Sequence, residues 1–96
     1  MNYLCKNYKI ITPIYAVIIF NNYDVRWEIF KSNQILYDVK EFIKRKYKIS
    51  NFSIEINDQV IINYQEKIKY HILECNENAI TIKIFTKKNV KIPKET

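Results

Sequence analysis

Ile35-Leu36-Tyr37-Asp38-Val39-Lys40-Glu41-Phe42-Ile43-Lys44-Arg45-Lys46-Tyr47 is the stretch that decides the fold. Ile35, Leu36, Val39, Phe42, Ile43 and Tyr47 recur at three- and four-residue steps, which puts them on one stripe of an α-helix. Asp38, Lys40, Glu41, Lys44 and Arg45 fall largely on the opposite side and can stay in water. Ser32 or Asn33 is placed to cap the helix start by accepting a bond from a first-turn N–H. Lys44, Arg45 and Lys46 suit the negative end of the macrodipole, so the helix is expected to end near Lys48. No other stretch shows helical period this clearly, and the predicted architecture is a small sheet wrapped around this one helix.

The segments on either side read as strands. Ile14 to Phe20, after Pro13, is dense in β-branched and aromatic residues and predicts a strand buried on both faces. Asn21-Asn22-Tyr23-Asp24 is a turn, built from residues that tolerate left-handed dihedrals. Val25 to Phe30 alternates and predicts the return strand of a hairpin. Phe52 to Ile56 is a third strand, Asn57-Asp58-Gln59 a polar break, and Val60 to Ile62 a very short strand. Tyr64 to Cys75 carries Ile68, Ile72 and Cys75 at helical steps and predicts a short second helix or an irregular turn. Ala79 to Thr86 alternates, with Ile80, Ile82 and Ile84 on one face. Residues 1–12 and 88–96 are expected to be flexible, leaving one domain over 13–87.

Composition narrows the function. At 96 residues and 48% apolar content the chain can bury a single core. The formal charge of +6 points weakly to an acidic partner, nucleic acid or an anionic surface. That basicity comes from 14 Lys against 2 Arg, alongside 19 Ile and 11 Asn, a mixture expected of an A- and T-rich coding sequence. Phosphate-binding patches more often rely on the Arg fork. With no glycine, neither a Rossmann nor a P-loop phosphate cradle can form. Two cysteines and one histidine cannot supply a four-ligand Cys/His zinc site, and no cofactor is expected. Two cysteines fit a reducing compartment. The longest apolar run, Ile14 to Phe20, is far short of the ~20 residues that span a bilayer. The first residues lack the apolar core of a signal peptide, so a cytoplasmic protein is expected.

The hairpin, helix, strand, short strand, short helix and final strand, with the two most apolar strands placed side by side at the centre, give an α+β fold. That arrangement is the β-grasp seen in ubiquitin, a mixed sheet packed on one main helix. Over roughly residues 14 to 86 the chain resembles ubiquitin-like proteins, and within them the family of autophagy-related protein twelve. Arg26-Trp27 resembles a basic residue followed by Trp in that family's second strand. Asp38 to Arg45 is similar to its helix, Ile54-Glu55-Ile56-Asn57 to a third strand ending on Val-Asn. Gln65-Glu66, then Ile72-Leu73-Glu74-Cys75, resemble Gln-Glu and Leu-Tyr-Glu-Cys. The family's tail closes on Trp-Gly, whereas the matching region here, about Asn89 to Ile92, holds neither residue.

The resemblance implies a scaffold without an active site. It implies non-covalent binding to autophagy-related protein five, in an E3-like complex that recruits an E2-like enzyme and promotes lipidation of the autophagy modifier eight. Membrane contact would then be indirect, by recruitment to organelle or autophagic membranes. The basic-Trp pair belongs to the family's transfer surface, which places Arg26 and Trp27 among the partner-binding residues, with Phe30 and Phe85 as apolar candidates beside them. Asn57-Asp58 also resembles the ubiquitin-fold modifier family, which keeps a modifier of that branch open as the alternative.

Each candidate has a plainer reading. Trp27 shares a strand face with Val25 and Ile29, which period alone makes the core face; partner contact is the competing reading, since Trp is favoured at interface hot spots. His71 and Cys75 are four apart and would share a helical face, as a Cys–His nucleophile pair requires, but structural packing is preferred. Lys44 to Lys48 is read as a solvated helix end rather than a nucleic-acid site. The free edge of the second strand invites strand addition, and Tyr15, Tyr23, Phe30 and Phe85 are candidates for an apolar surface.

Overall fold

A computed structural model describes residues 12–72 and 78–87. Among these residues, five strands and one α-helix follow the predicted order: β1 (Pro13–Phe20), β2 (Asp24–Lys31), α1 (Leu36–Tyr47), β3 (Phe52–Ile56), β4 (Gln59–Val60) and β5 (Ala79–Thr86), with a 3-10 turn at Ile68–His71. The sheet order is β2-β1-β5-β3-β4. β1 and β5 run parallel at the centre, Ala16 beside Ile80 and Ile18 beside Ile82. β2 pairs antiparallel with β1 on one side and β3 antiparallel with β5 on the other.

Strand alternation sends Ile14, Ala16, Ile18 and Phe20 of β1 to the same face as Ile80, Ile82 and Ile84 of β5 and Ile54 and Ile56 of β3. Against that face lies the helix stripe, with Leu36, Val39, Ile43 and Tyr47 buried and Phe42 packed at its margin. Aromatic edges fix the contact: Phe20 and Tyr47 meet with ring centroids 4.9 Å apart, Phe30 and Phe42 at 5.4 Å. Such pairs add about 0.5–1.5 kcal/mol each beyond the area they bury.

A chain without glycine must still turn. Asn21, Asn22, Lys48, Asn57 and Asp58 take positive φ, between 53° and 71°. Asn57 and Asp58 form the two-residue link of the β3–β4 hairpin, both with the positive φ that a type I′ turn needs. Asn21 also ties the sheet: its side-chain amide donates to Thr86 Oγ1 and its amide oxygen accepts from the Thr86 N–H.

Two expectations change and one is narrowed. Neither Ser32 nor Asn33 caps α1, whose N-cap position is Ile35. The helix start is satisfied instead by carbonyls of the later loop, Leu36 N–H to Glu66 O and Tyr37 N–H to Tyr64 O, each at 2.8 Å, with Asp38 Oδ2 accepting from the Ile35 N–H. Of the short helix or irregular turn expected after Tyr64, the described residues form a 3-10 turn at Ile68–His71, tied to the helix start by Ile68 N–H to Gln34 O at 2.8 Å. β1 is not buried on both faces: Tyr15 is exposed and Val17 and Ile19 are half-buried, since a single helix covers only one side of the sheet. Cys5, Cys75, the Leu73-Glu74-Cys75 motif and the tail from Lys88 lie outside the described residues.

Candidate functional site: the open face of the sheet

The uncovered face follows from the same alternation. In β2 it carries Val25, Trp27 and Ile29; in β1 it carries Tyr15, Val17 and Ile19. Register sets them in facing pairs: Tyr15 with Ile29, Val17 with Trp27, Ile19 with Val25. Beyond β1 the face turns polar. Ala79, Thr81 and Lys83 of β5 lie beside Tyr15, Val17 and Ile19, and Ser53 and Glu55 of β3 lie beside Phe85 and Lys83. The apolar surface therefore belongs to the β1–β2 half. Trp27 is 66% exposed, Ile29 63%, Val25 49% and Tyr15 48%. Together these side chains leave on the order of 400 Å² of contiguous surface in water, near the size that marks an interaction site on a monomer.

Trp27, Val25 and Ile29 do share a face, but it is the open one, which corrects the core-face assignment. What β2 turns inward is Asp24, Arg26, Glu28 and Phe30. Arg26 and Glu28 meet the last turn of α1, and Phe30 meets Phe42 one turn earlier. Arg26 Nε donates to Asp24 Oδ1 at 2.8 Å, and its guanidinium stacks over the Tyr47 ring at 5.5 Å. Glu28 Oε2 accepts from the Tyr47 hydroxyl and from Lys46 Nζ at 2.6 Å. Lys46 and Tyr47 thus supply positive charge and a donor to a carboxylate that is 9% exposed, as a half-buried charge requires.

The four candidate residues are thereby separated. Trp27 stands on the open face. Phe85 is half-buried on the same face, on the far side of β1. Phe30 is 3% exposed and belongs to the core, so it offers no surface; an even-numbered position in β2 must point at the helix. Arg26 adjoins Trp27 in sequence and therefore opposes it in space, with its side chain against Tyr47. Tyr23, 83% exposed, sits in the β1–β2 turn. The residues missed by sequence reasoning are Val25 and Ile29, together with Val17 and Ile19. Their signal was present in the long apolar run of β1 and the apolar set of β2, once only one side of the sheet is covered.

Among the described residues, other chemistry-bearing groups do not assemble. His71 Nε2 lies 2.8 Å from Glu66 Oε1 at the surface. Among the described residues no three His, Cys, Asp or Glu side chains come together as metal ligands, and no helix is long and apolar enough to cross a membrane. Burial raises the Tyr64 phenol above its ordinary value of 10.0, and the Lys40 ammonium lies 4.6 Å from the centre of that ring.

No protein-family model matches the chain, and no curated protein matches it by sequence. Solved structures do. An Arabidopsis thaliana protein, determined by combining evolutionary couplings with sparse NMR data, superposes with a TM-score of 0.65 at 11% identity, over 82% of this chain and 92% of that one. The C-terminal ubiquitin-like domain of the human 2'-5'-oligoadenylate synthetase-like protein does so with a TM-score of 0.62 at 14% identity, over 88% and 94%. Strand order, parallel centre and single helix define the class: this is an α+β chain with the ubiquitin-like β-grasp fold.

Proposed function

We propose that this chain is a ubiquitin-like docking module that works by contact, through the open face of β1 and β2. The observation that carries the proposal is Trp27. A large aromatic side chain held 66% in water, flanked by Val25, Ile29 and Tyr15, is the composition of an interface centre rather than of a solvated strand face.

The finer form of the proposal is the one the sequence resemblance carries. The chain binds autophagy-related protein five non-covalently in the cytoplasm, and the pair acts as an E3-like factor that engages an E2-like enzyme and promotes lipidation of the autophagy modifier eight. One feature supports it: Trp27, the aromatic residue of that family's basic-Trp pair, faces solvent, whereas Arg26 turns to Asp24 and Tyr47. A ubiquitin-like interaction domain outside that pathway, or a modifier of the ubiquitin-fold modifier type, would use the same open face. The fold likeness, at 11–14% identity, suits all three equally.

The test is co-expression with autophagy-related protein five. A complex that survives native gels and separates in denaturant is expected, and Trp27→Ala is expected to fold but lose support for lipidation. A band shift that persists in denaturant would contradict the non-covalent form. Absence of any complex would remove the autophagy reading and leave the docking module.

A further inference from the structure

The apolar part of the open face is two strands wide. Its columns are Tyr15, Val17 and Ile19 on β1 and Ile29, Trp27 and Val25 on β2, set in three facing rows. Successive rows are about 7 Å apart along a strand, so the outer two lie about 13 Å from each other. The columns stand about 5 Å apart. On the far side of β1 the surface turns polar, with Thr81 and Lys83 beside Val17 and Ile19.

Whatever covers this face meets side chains and no free backbone. The N–H and C=O groups of β1 lie in the plane of the sheet, between β2 and β5. The Ser32 N–H donates to Thr12 O at 3.0 Å, so the pairs Ile14–Phe30, Ala16–Glu28 and Ile18–Arg26 carry the β1–β2 ladder. The backbone groups of Val25, Trp27 and Ile29 therefore point off the edge rather than up from the face. An extended segment laid across the face would bury its own N–H and C=O groups without partners. An extended segment added at the edge would find partners, but it would leave the β1 column in water. A helix satisfies its backbone internally and needs only side-chain contact. Its body, about 10 Å across, covers both columns, and about nine residues at about 1.5 Å each span the three rows. A folded domain fits less well on area. The patch exposes on the order of 400 Å², about half of what each side of a standard interface buries.

The charges at the margin say what the helix carries. β1 has no charged residue, and both carboxylates of β2 turn inward, Asp24 to Arg26 and Glu28 to Lys46 and Tyr47. Lys31, exposed one row beyond Ile29, is the charge left on this half of the face. Lys83 stands at the other end beside Ile19, loosely paired with Asp58 at 3.6 Å. The whole chain carries +6.

We propose that the open face of β1 and β2 takes a short, acidic, amphipathic helix of a partner protein. It lies along the strands with apolar residues at i, i+3 or i+4 and i+7 against the three rows, and a carboxylate at the end that meets Lys31. This rests on the docking reading above and names the kind of partner; it does not need the lipidation pathway.

The probe is a designed peptide of about fifteen residues, with Leu at those positions, Glu around them and neither Trp nor Tyr. It is titrated into the full chain, with Trp27 fluorescence and calorimetry as readouts. Two controls accompany it: the same composition reordered so that Leu alternates, and a version with Lys in place of Glu. The helical Glu peptide is expected to give a saturable blue shift, and circular dichroism more helical than the sum of the components. Its affinity should fall with added salt. The alternating peptide, and the Trp27→Ala chain read by calorimetry, should bind at least tenfold more weakly. Lys31→Glu should weaken the Glu peptide several-fold and strengthen the Lys peptide. Tighter binding of the alternating peptide, with the Val25, Trp27 and Ile29 amides newly protected from hydrogen exchange, would put an extended segment on the edge and overturn the proposal. So would no saturable binding of the helical peptide at millimolar concentration. If the peptide fails while Trp27→Ala still abolishes the complex with autophagy-related protein five, the helix falls and the docking face stands.

Discussion

Replacing Trp27 and Phe30 separately by alanine sets the geometry of β2 against the reading that its apolar set faces the core. About a third of Trp27 is covered, on the order of 85 Å² of a side chain that presents up to ~250 Å², so truncation should cost folding at most about 2 kcal/mol at ~25 cal/mol per Å². Phe30 is 3% exposed and meets Phe42 edge to face, so its truncation leaves a cavity and should cost about 3–5 kcal/mol. Binding reverses the order. The exposed two thirds of Trp27 would contribute up to ~4 kcal/mol if fully covered by a partner, and a hot spot of at least ~2 kcal/mol weakens binding about 30-fold. The assays are urea unfolding followed by circular dichroism, and calorimetric titration with the co-expressed partner. Trp27→Ala should remain folded with a small shift in midpoint and lose affinity at least tenfold. If Trp27→Ala unfolds the chain and Phe30→Ala does not, the two faces of β2 have been assigned the wrong way round.

Two further outcomes follow from single positions. Lys48, at φ 58° and ψ 46° just past α1, holds a conformation that costs most residues about 1–2 kcal/mol, so Lys48→Gly should stabilise the fold by roughly 0.5–1 kcal/mol, with a rise in Tm of a few degrees. The Tyr64 phenol is raised by burial, so the folded state holds its proton more tightly than the unfolded state does. Stability should therefore fall as pH rises above 10.0, and Tyr64→Phe should flatten that part of the stability curve.

Much of this was legible in the residues, for physical reasons that also explain what was not. Alternation of Ile80, Ile82 and Ile84, and the stripe Leu36, Val39, Ile43 and Tyr47, mark both element type and buried side, because a core residue must recur at the element's own period. The β-grasp order followed from those elements. Alternation in β2 shows that Val25, Trp27 and Ile29 share a face, but not which face is covered. The inner set, Arg26 and Glu28, looks like a solvent face until Tyr47 and Lys46 at the end of α1 are seen to meet it, and those contacts join residues about twenty positions apart. The helix cap failed for the same reason. Its acceptors are the backbone carbonyls of Tyr64 and Glu66, which no local signature records. The run Ile14 to Phe20 suggested burial on both sides; with one helix layer, half of it becomes the apolar patch.

The most direct measurement uses the chain's single tryptophan as its own reporter. Trp27 fluorescence should be red-shifted and readily quenched by acrylamide in the folded chain, nearly as in denaturant, then shift to the blue and lose quenching when the partner binds. A folded, free chain whose emission is already blue and protected would place Trp27 in the interior, and the open docking face with it would be contradicted.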